Sequence, residues 1–329
     1  MAELTILRED DADLSALAGR KVAIIGFGAQ GRAQALCMRE SGVEIIIGVR
    51  RGASFDAAVG DGFPTMSVAE ASRAADIIHI LLPDEIHGDV FRSDIAPAMR
   101  PGTTLSFSHS FSVVFKELVP PADSDVILVA PKGIATAVRE RYLAGSGVAG
   151  PIAVEQDRSG HARQDALALA KAMGYTRSGV LECTMKAEAC GDIFGEQNVL
   201  CGGMVDLMKY GFEVLTEAGY PPEVAYFECI HEVKLIVDLV YAKGLAKMNE
   251  VISNTAEWGE YVNGPRIISP DVKERMKQSL RDIESGKFAA SLLAEVRSGA
   301  KNLAAKREEL RRHPAEEAGA RVRALFNIK

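Results

Sequence analysis

The sequence predicts an α/β domain with a mostly parallel sheet, followed by an all-α domain. Near the N-terminus a short apolar strand runs into a glycine-rich turn and a helix. Strands and helices then alternate up to about residue 182, and only helical periodicity remains beyond it. Such alternation implies right-handed crossovers between parallel strands. We therefore expect one domain over residues 1–182 and a helical domain over 183–329.

The first strand, turn and helix read KVAIIGFGAQGRAQALCMRESG and match the pattern G-x-G-x-x-G. In a Rossmann-type domain the first glycine permits a tight turn, the second admits a pyrophosphate, and the third lets the helix pack on its strand. The pattern also occurs in purely structural βα turns, but its position here favours a dinucleotide site. The residues predicted to bind the cofactor are Gly26, Phe27, Gly28, Ala29, Gln30 and Gly31.

The second strand, VEIIIGVRRGAS, ends in Arg50 and Arg51. A site specific for NAD usually places Asp or Glu here to bind the ribose 2′-hydroxyl, whereas arginines and hydroxyls suit a 2′-phosphate. We therefore expect NADPH, with Arg50, Arg51 and Ser54 on its phosphate. The alternative is a solvated loop that happens to carry two basic residues.

Further strands are predicted in ADIIHILLPD, TTLSFSHS, DVILVAPKG and PIAVEQD. Ligands of parallel sheets bind beyond the carboxyl ends of the strands, where a histidine can act as acid or base and a lysine as a charge clamp. His79 is predicted to be a core residue, and His87, His161 and His313 to lie on the surface. The candidates at strand ends are Pro83, Asp84, His109, Ser110 and Lys132.

Composition excludes several classes of protein. The 329 residues are 47% hydrophobic with a formal net charge of −7, which disfavours nucleic-acid and anionic-membrane partners. The five cysteines match no zinc or disulfide pattern and are expected to be reduced thiols. The acidic N-terminus does not resemble a signal peptide, and no apolar run is long enough to span a membrane. We expect a cytoplasmic enzyme.

Two stretches of the helical half, CGDIFGEQNVLCGG and YFECIHEVKLIVDLVY, each hold two carboxylates four residues apart. These pairs are Asp192 with Glu196 and Glu228 with Glu232, and each pair shares one helix face. Four converging carboxylates require cations, and oxygen ligands favour Mg²⁺ or Mn²⁺, plausibly two ions. The alternative is two exposed acidic pairs, but the apolar neighbours predict burial. The charged C-terminal segment is predicted to be a solvated outer helix.

Together these segments resemble ketol-acid reductoisomerase, in its short class I form. The resemblance rests on GFGAQGRAQAL, LLPDE, VAPKG, DIFGEQNVLCGG, GFEVLTEAGYPPEVAYFECIHEVKLIVDLVY and ISNTAEWGEYVNGP, which cover most of the chain. It implies NADPH on the Rossmann domain and two Mg²⁺ in a knotted helical domain. It also implies a small acetohydroxy acid substrate, 2-acetolactate or 2-aceto-2-hydroxybutyrate. Alkyl migration and reduction then give a 2,3-dihydroxy acid of branched-chain amino-acid synthesis.

The resemblance also assigns roles to residues. It implies that the second carboxylate pair comes from the partner subunit, so that a dimer is the minimal active unit. The expected assembly is a homodimer or a higher homo-oligomer. Ser253 matches the residue that holds the substrate carboxylate. The metal ligands are Asp192, Glu196, Glu228 and Glu232, and the catalytic residues are His109, Lys132 and Glu232.

The chain departs from the family pattern at three places. His109-Ser110-Phe111 replaces His-Gly-Phe, Ile134-Ala135-Thr136 replaces Pro-Gly-His, and Ala189-Cys190-Gly191 replaces Thr-Glu-Thr. The last change removes a carboxylate near the predicted ligands. Two alternatives therefore stand beside the reductoisomerase: a paralogue that acts on another small keto or imine substrate, and a non-catalytic regulator that binds NADPH.

Overall fold

The computed structural model describes residues 5–326. Residues 1–4 of the acidic N-terminal stretch and residues 327–329 of the C-terminal segment lie outside this range. The chain divides into two compact units, Met1–Gly191 and Asp192–Lys329. The predicted fold class, a Rossmann-type domain followed by a largely helical one, is confirmed.

The first unit is built on one sheet, whose described strands run in the order β1-β9-β8-β7-β6-β5-β2-β3-β4. Pairing is parallel except for β1 with β9 and β7 with β8. The strands are β1 Ile6–Leu7, β2 Lys21–Ile25, β3 Glu44–Gly48, β4 Thr65–Met66, β5 Ile77–Ile80, β6 Thr104–Phe107, β7 Val126–Val129, β8 Gly150–Gln156 and β9 Val180–Glu182.

Strand β2 is the point at which the chain reverses its direction of travel across the sheet. It pairs with β3 on one side and with β5 on the other, and both pairings are parallel. Connections that diverge from neighbouring strands leave a crevice at their carboxyl ends, which is where open α/β sheets bind ligands.

Helices cover both faces of the sheet. Along β2, Val22 and Ile24 enter one apolar core while Ala23 and Ile25 enter the other, and all four are fully buried. The α-helices of this unit are α1 Ala29–Glu40, α2 Ala53–Gly60, α3 Val68–Ala74, α4 Asp84–Val90, α5 Phe111–Val114, α6 Ala135–Leu143, α7 Ala162–Ala172 and α8 Tyr175–Ser178, with a π-helical turn at Phe91–Ile95. Helix α9, Met185–Gly195, begins in this unit and ends in the second.

Among its described residues, the second unit contains helices joined by short turns and no strand. Two π-helical turns interrupt its long helices, at Glu196–Leu200 and Phe227–His231. The α-helices are α10 Gly203–Glu217, α11 Pro222–Tyr226, α12 Val233–Lys243, α13 Leu245–Asn249, α14 Asn254–Ile267, α15 Pro270–Glu284, α16 Lys287–Arg297, α17 Lys301–Arg311 and α18 Pro314–Leu325.

The C-terminal segment corrects the prediction of a solvated outer helix. Helix α17 buries none of its described residues, as expected, but α18 buries Ala318 and Val322 against Phe212 and Tyr226. The small residues of α18 form a packing face. This face is hard to recognise in the sequence because charged residues stand between its members.

Much of the apolar surface of the second unit is exposed in the single chain. Trp258 is 70% exposed and Tyr241 is 80% exposed. Other exposed large apolar side chains are Leu207, Leu235, Val237, Leu245 and Ile267. Within residues 5–326, no helix is long and apolar enough to cross a membrane.

Candidate functional site

The glycine-rich turn forms the base of the crevice beside β2. Gly26 has φ of 100°, and a Cβ there would lie 2.7 Å from the carbonyl oxygen of Leu81. A Cβ on Gly31 would lie 2.2 Å from the carbonyl oxygen of Gly26. Only glycine fits either position, so the turn brings the free N–H groups of the first turn of α1 to the crevice.

A cavity of about 1210 Å³ occupies this crevice. Gly31 does not line the cavity. It lets α1 pack closely against the turn, which is the role of the third glycine in this motif. The other residues predicted to bind the cofactor all line the cavity: Gly26, Phe27, Gly28, Ala29, Gln30, Arg50, Arg51, Ser54, Pro83 and Asp84.

The basic end of the cavity follows β3. Arg50, Arg51 and Ser54 line it, and the guanidinium carbon of Arg51 lies 4.0 Å from the ring centroid of Phe55. A cation over an aromatic face is held in place without an acidic partner, so Arg51 keeps its donors available for an anion.

His109 and Asp84 also line the cavity, at the carboxyl ends of β6 and β5. Nδ1 of His109 lies 2.6 Å from Oδ2 of Asp84. Asp84 accepts hydrogen bonds only, so Nδ1 carries the hydrogen in this contact. The aspartate thereby fixes the orientation of the ring.

Glu188 is the residue that sequence reasoning missed. Its side chain is 1% exposed, and Oε1 lies 3.0 Å from Nζ of Lys132. Its other oxygen, Oε2, accepts a hydrogen bond of 3.1 Å from the backbone N–H of Ser110. The hydroxyl of Ser110 lies 2.7 Å both from this oxygen and from the carbonyl oxygen of Met185. Its position four residues before Asp192 could have drawn attention to it, because that spacing repeats the pattern of the carboxylate pair.

The carboxylates follow one another along α9. His109 and Glu188 offer ligand atoms within 4.8 Å of each other. Asp192 stands one helical turn beyond Glu188 on the same helix face and is partly buried. Glu196 begins the π-helical turn that follows. The carboxylates among these groups provide oxygen donors, which suit a hard divalent cation.

The second pair corrects the prediction of burial. Glu228 lies in the π-helical turn Phe227–His231, Glu232 follows it, and both are exposed, as is Glu196. Leu235 nearby is 59% exposed. The apolar neighbours predict a buried segment, but Leu235 among them lies on the surface of the single chain.

Ser253 caps the N-terminus of α14. Its hydroxyl accepts a hydrogen bond of 3.2 Å from the backbone N–H of Ala256. The N-terminus of a helix this long favours negative charge, so the position suits a carboxylate.

Two of the four histidines that were assigned a position from the sequence, His79 and His87, are buried in the structure. His79 is fully buried, as predicted. The prediction of a surface position for His87 is wrong, because it is 2% exposed and is bound to the hydroxyl of Ser112 and the carbonyl of Leu82. Burial lowers the pKa of His87. Its position on a short helix beside charged residues gave no sign of this.

Comparisons with known proteins cover nearly the whole chain. Residues 16–179 match the family model "Acetohydroxy acid isomeroreductase, NADPH-binding domain", and residues 185–328 match "Ketol-acid reductoisomerase, C-terminal domain". A ketol-acid reductoisomerase (NADP(+)) of Akkermansia muciniphila is 65% identical over 98% of this chain and 99% of its own. A ketol-acid reductoisomerase (NAD(+)) of the uncultured archaeon GZfos26G2 is 49% identical over 99% of this chain and 100% of its own.

A solved structure agrees with the sequence matches. The NADH-preferring ketol-acid reductoisomerase from an uncultured archean superposes with a TM-score of 0.95 at 49% identity, covering 98% of this chain and 99% of that one.

Proposed function

The chain belongs to the ketol-acid reductoisomerase family and is an NADP-dependent oxidoreductase, and from this premise we propose how its own residues divide the work. The substrates are 2-acetolactate and 2-aceto-2-hydroxybutyrate, which are rearranged by alkyl migration and reduced to 2,3-dihydroxy acids. The observation that carries the proposal is that the Lys132–Glu188 pair and His109 stand at the same edge of the sheet as the nucleotide crevice.

NADPH lies along the crevice. The N-terminus of α1 binds its pyrophosphate, and Arg50, Arg51 and Ser54 bind its 2′-phosphate. The stacking of Arg51 on Phe55 supports this, because it directs a permanent positive charge at the lining of the cavity.

Asp192, Glu196, Glu228 and Glu232 hold two Mg²⁺. Their donor chemistry fits, since all four offer carboxylate oxygens and none of them is fully buried. When bound, the ions polarise a carbonyl and lower the pKa of a neighbouring hydroxyl, which is the chemistry that alkyl migration requires.

The remaining side chains orient the substrate and supply charged or proton-exchanging groups. Lys132 carries a cation toward the substrate oxygens, and buried Glu188 fixes the direction of its Nζ. His109, held by Asp84, presents its other nitrogen to the acidic groups of α9. Glu232 exchanges a proton with the substrate. Ser253, with the N-terminus of α14, binds the substrate carboxylate.

Two copies of the chain complete the site as a homodimer. Glu228 and Glu232 of one copy join Asp192 and Glu196 of the other. The exposed apolar side chains of the second unit, Trp258, Tyr241 and Leu235 among them, support a partner that covers them.

The first test is NADPH oxidation by the purified chain with racemic 2-acetolactate, with and without Mg²⁺. Turnover that depends on Mg²⁺ is expected. A chain that binds NADPH and Mg²⁺ but oxidises no NADPH with either acetohydroxy acid would contradict the proposed substrates and favour the diverged paralogue.

Mixing two inactive variants tests the shared site. Asp192→Asn and Glu228→Gln each inactivate the sites to which they contribute. In a random mixture half of the dimers are mixed and carry one intact site of two, so about a quarter of the normal activity returns. The matched control mixes Asp192→Asn with Glu196→Gln, which never restores a site. Equal activity of both mixtures would contradict a site made by two copies.

A further inference from the structure

A chain of buried polar side chains crosses the core between the sheet and α1. Nδ1 of His79 lies 2.8 Å from the hydroxyl of Ser106, and its Nε2 lies 2.8 Å from Oε1 of Gln34. Nε2 of Gln34 lies 3.1 Å from Oε1 of Gln30, whose Nε2 lies 3.1 Å from the carbonyl oxygen of Gly133. Ser106, His79 and Gln34 are all fully buried.

The last acceptor fixes the direction of every hydrogen bond. A carbonyl oxygen can only accept, so the amide nitrogen of Gln30 must face Gly133 and its oxygen must face Gln34. Gln34 then donates to Gln30 and offers its oxygen to His79. Nε2 of His79 must therefore carry the hydrogen, and Nδ1 accepts from Ser106.

Neighbouring groups agree with this direction. The hydroxyl of Ser108 lies 3.0 Å from the carbonyl oxygen of Val129, 3.2 Å from Oε1 of Gln34 and 3.3 Å from Nε2 of His79. The first two only accept and lie closer, so the hydrogen is directed at one of them and not at His79. Burial lowers the pKa of His79 to about 3, so the ring stays neutral near pH 7 with one donor and one acceptor, as the chain requires.

The end of this polar chain formed by Gln30 and Gly133 reaches the candidate site. Gln30 lies in the first turn of α1 and lines the nucleotide cavity. Gly133 directly follows Lys132, whose Nζ faces Glu188. The hydrogen bond between Gln30 and Gly133 thus joins the cofactor-binding end of α1 to the loop that carries Lys132.

We propose that Gln34 and His79 are positioning residues that hold the amide of Gln30 on the carbonyl of Gly133, and so fix the Lys132 loop against the cofactor-binding end of α1. The part concerning Lys132 rests on the proposed function. Apolar side chains would fill the same core at no cost in hydrogen bonding, whereas a buried polar chain is tolerated only when every member is satisfied, and it then specifies one arrangement.

The direction of the hydrogen bonds in this polar chain can be tested without a turnover assay. ¹⁵N NMR of the intact wild-type protein reports the tautomer of each histidine, and the His79 signal is identified by its loss in His79→Gln. We expect the Nε2–H tautomer, unchanged between about pH 5 and 8. The Nδ1–H tautomer, or a charged ring at neutral pH, would overturn the proposal.

The positioning role is tested with three variants of the full-length chain. Gln34→Met interrupts the chain of donors at its centre. His79→Gln keeps a donor at the position of Nε2 and serves as the conservative rescue. Ser72→Ala is the matched control, because it removes one fully buried hydrogen bond, to the carbonyl of Val68, that has no part in the polar chain from Ser106 to Gly133.

For Gln34→Met we expect kcat to fall about tenfold through a displaced Lys132, while the Kd of NADPH changes less than about twofold. His79→Gln and Ser72→Ala should keep kcat within about twofold of wild type. Normal kcat in Gln34→Met would overturn the proposal, as would an equal loss of kcat in Ser72→Ala. If the wild type itself turns over no acetohydroxy acid, the proposed function fails, while the tautomer result still stands.

Discussion

Nζ of Lys132 lies 3.0 Å from Oε1 of Glu188, and the two side chains differ sharply in exposure: 43% for the lysine and 1% for the glutamate. The buried carboxylate of Glu188 therefore fixes the position of the Lys132 ammonium group, whose side chain remains partly exposed to solvent. The other oxygen of Glu188 is held by Ser110, a residue at which the chain departs from the family pattern.

Ser110→Ala removes a hydroxyl whose one hydrogen is shared between Oε2 of Glu188 and the carbonyl oxygen of Met185, and it keeps the backbone N–H bond to Glu188. Hydrogen bonds to charged groups contribute roughly 1.5–3 kcal/mol, so we expect the free energy of unfolding to fall by about 2 kcal/mol. The Kd of Mg²⁺, measured by calorimetry, should rise as Glu188 loses its fixed orientation. Ser112→Ala, two residues away and bonded to His87, is the control for a buried hydroxyl outside this contact. Equal Mg²⁺ affinity in both variants would contradict the role of Ser110.

Asp84→Ala removes the acceptor of the His109 ring, whereas Asp84→Asn keeps an acceptor of the same shape. We expect kcat to fall about tenfold more in the alanine variant than in the asparagine variant, because only the latter still orients Nδ1. Steady-state assays with saturating NADPH check this. Glu85→Gln, the next residue on α4, should behave as wild type; identical losses in all three would show that only the helix end is disturbed.

Arg51→Gln removes the charge that stacks on Phe55. We expect the KM of NADPH to rise about tenfold or more, since charge-assisted contacts to phosphate are lost, while the KM of NADH changes little. Arg73→Gln, an exposed arginine on α3, is the charge-matched control. A parallel rise for both cofactors would place Arg51 away from the 2′-phosphate.

Stability should depend on pH through His79. Its pKa of about 3 in the folded chain is below the usual 6.5, so the unfolded chain binds the proton first and stability is lost as the pH falls below about 6.5. Two pH units below that point the loss is about 3 kcal/mol at 1.36 kcal/mol per unit. Urea unfolding at pH 7 and 4.5 should show this loss in wild type and not in His79→Gln. Parallel curves for the two proteins would refute the assignment to His79.

The sequence was sufficient to predict the strands around the crevice, because their apolar runs and the glycines or prolines that follow them are local signals. Gly26, Arg51 and Asp84 all line the predicted cavity. It was insufficient for Glu188 and His87, whose roles depend on Ser110 and Ser112 in a distant part of the chain. It was also misleading for Glu228, because an apolar stripe looks the same whether it meets its own chain or is left exposed.

The π-helical turns at Glu196–Leu200 and Phe227–His231 have a consequence for chain length. Each turn holds one residue more than an ordinary α-helical turn, so the extra residue is absorbed locally and the helix that follows keeps its direction. Deleting one residue in such a turn would give ordinary α-helix and leave the following helix near its present direction, whereas the same deletion inside α12 would rotate every later side chain by about 100°. We conclude that these two segments are where the helices accommodate a one-residue change in length, so that a relative with a one-residue gap in either would keep the direction of the helix that follows.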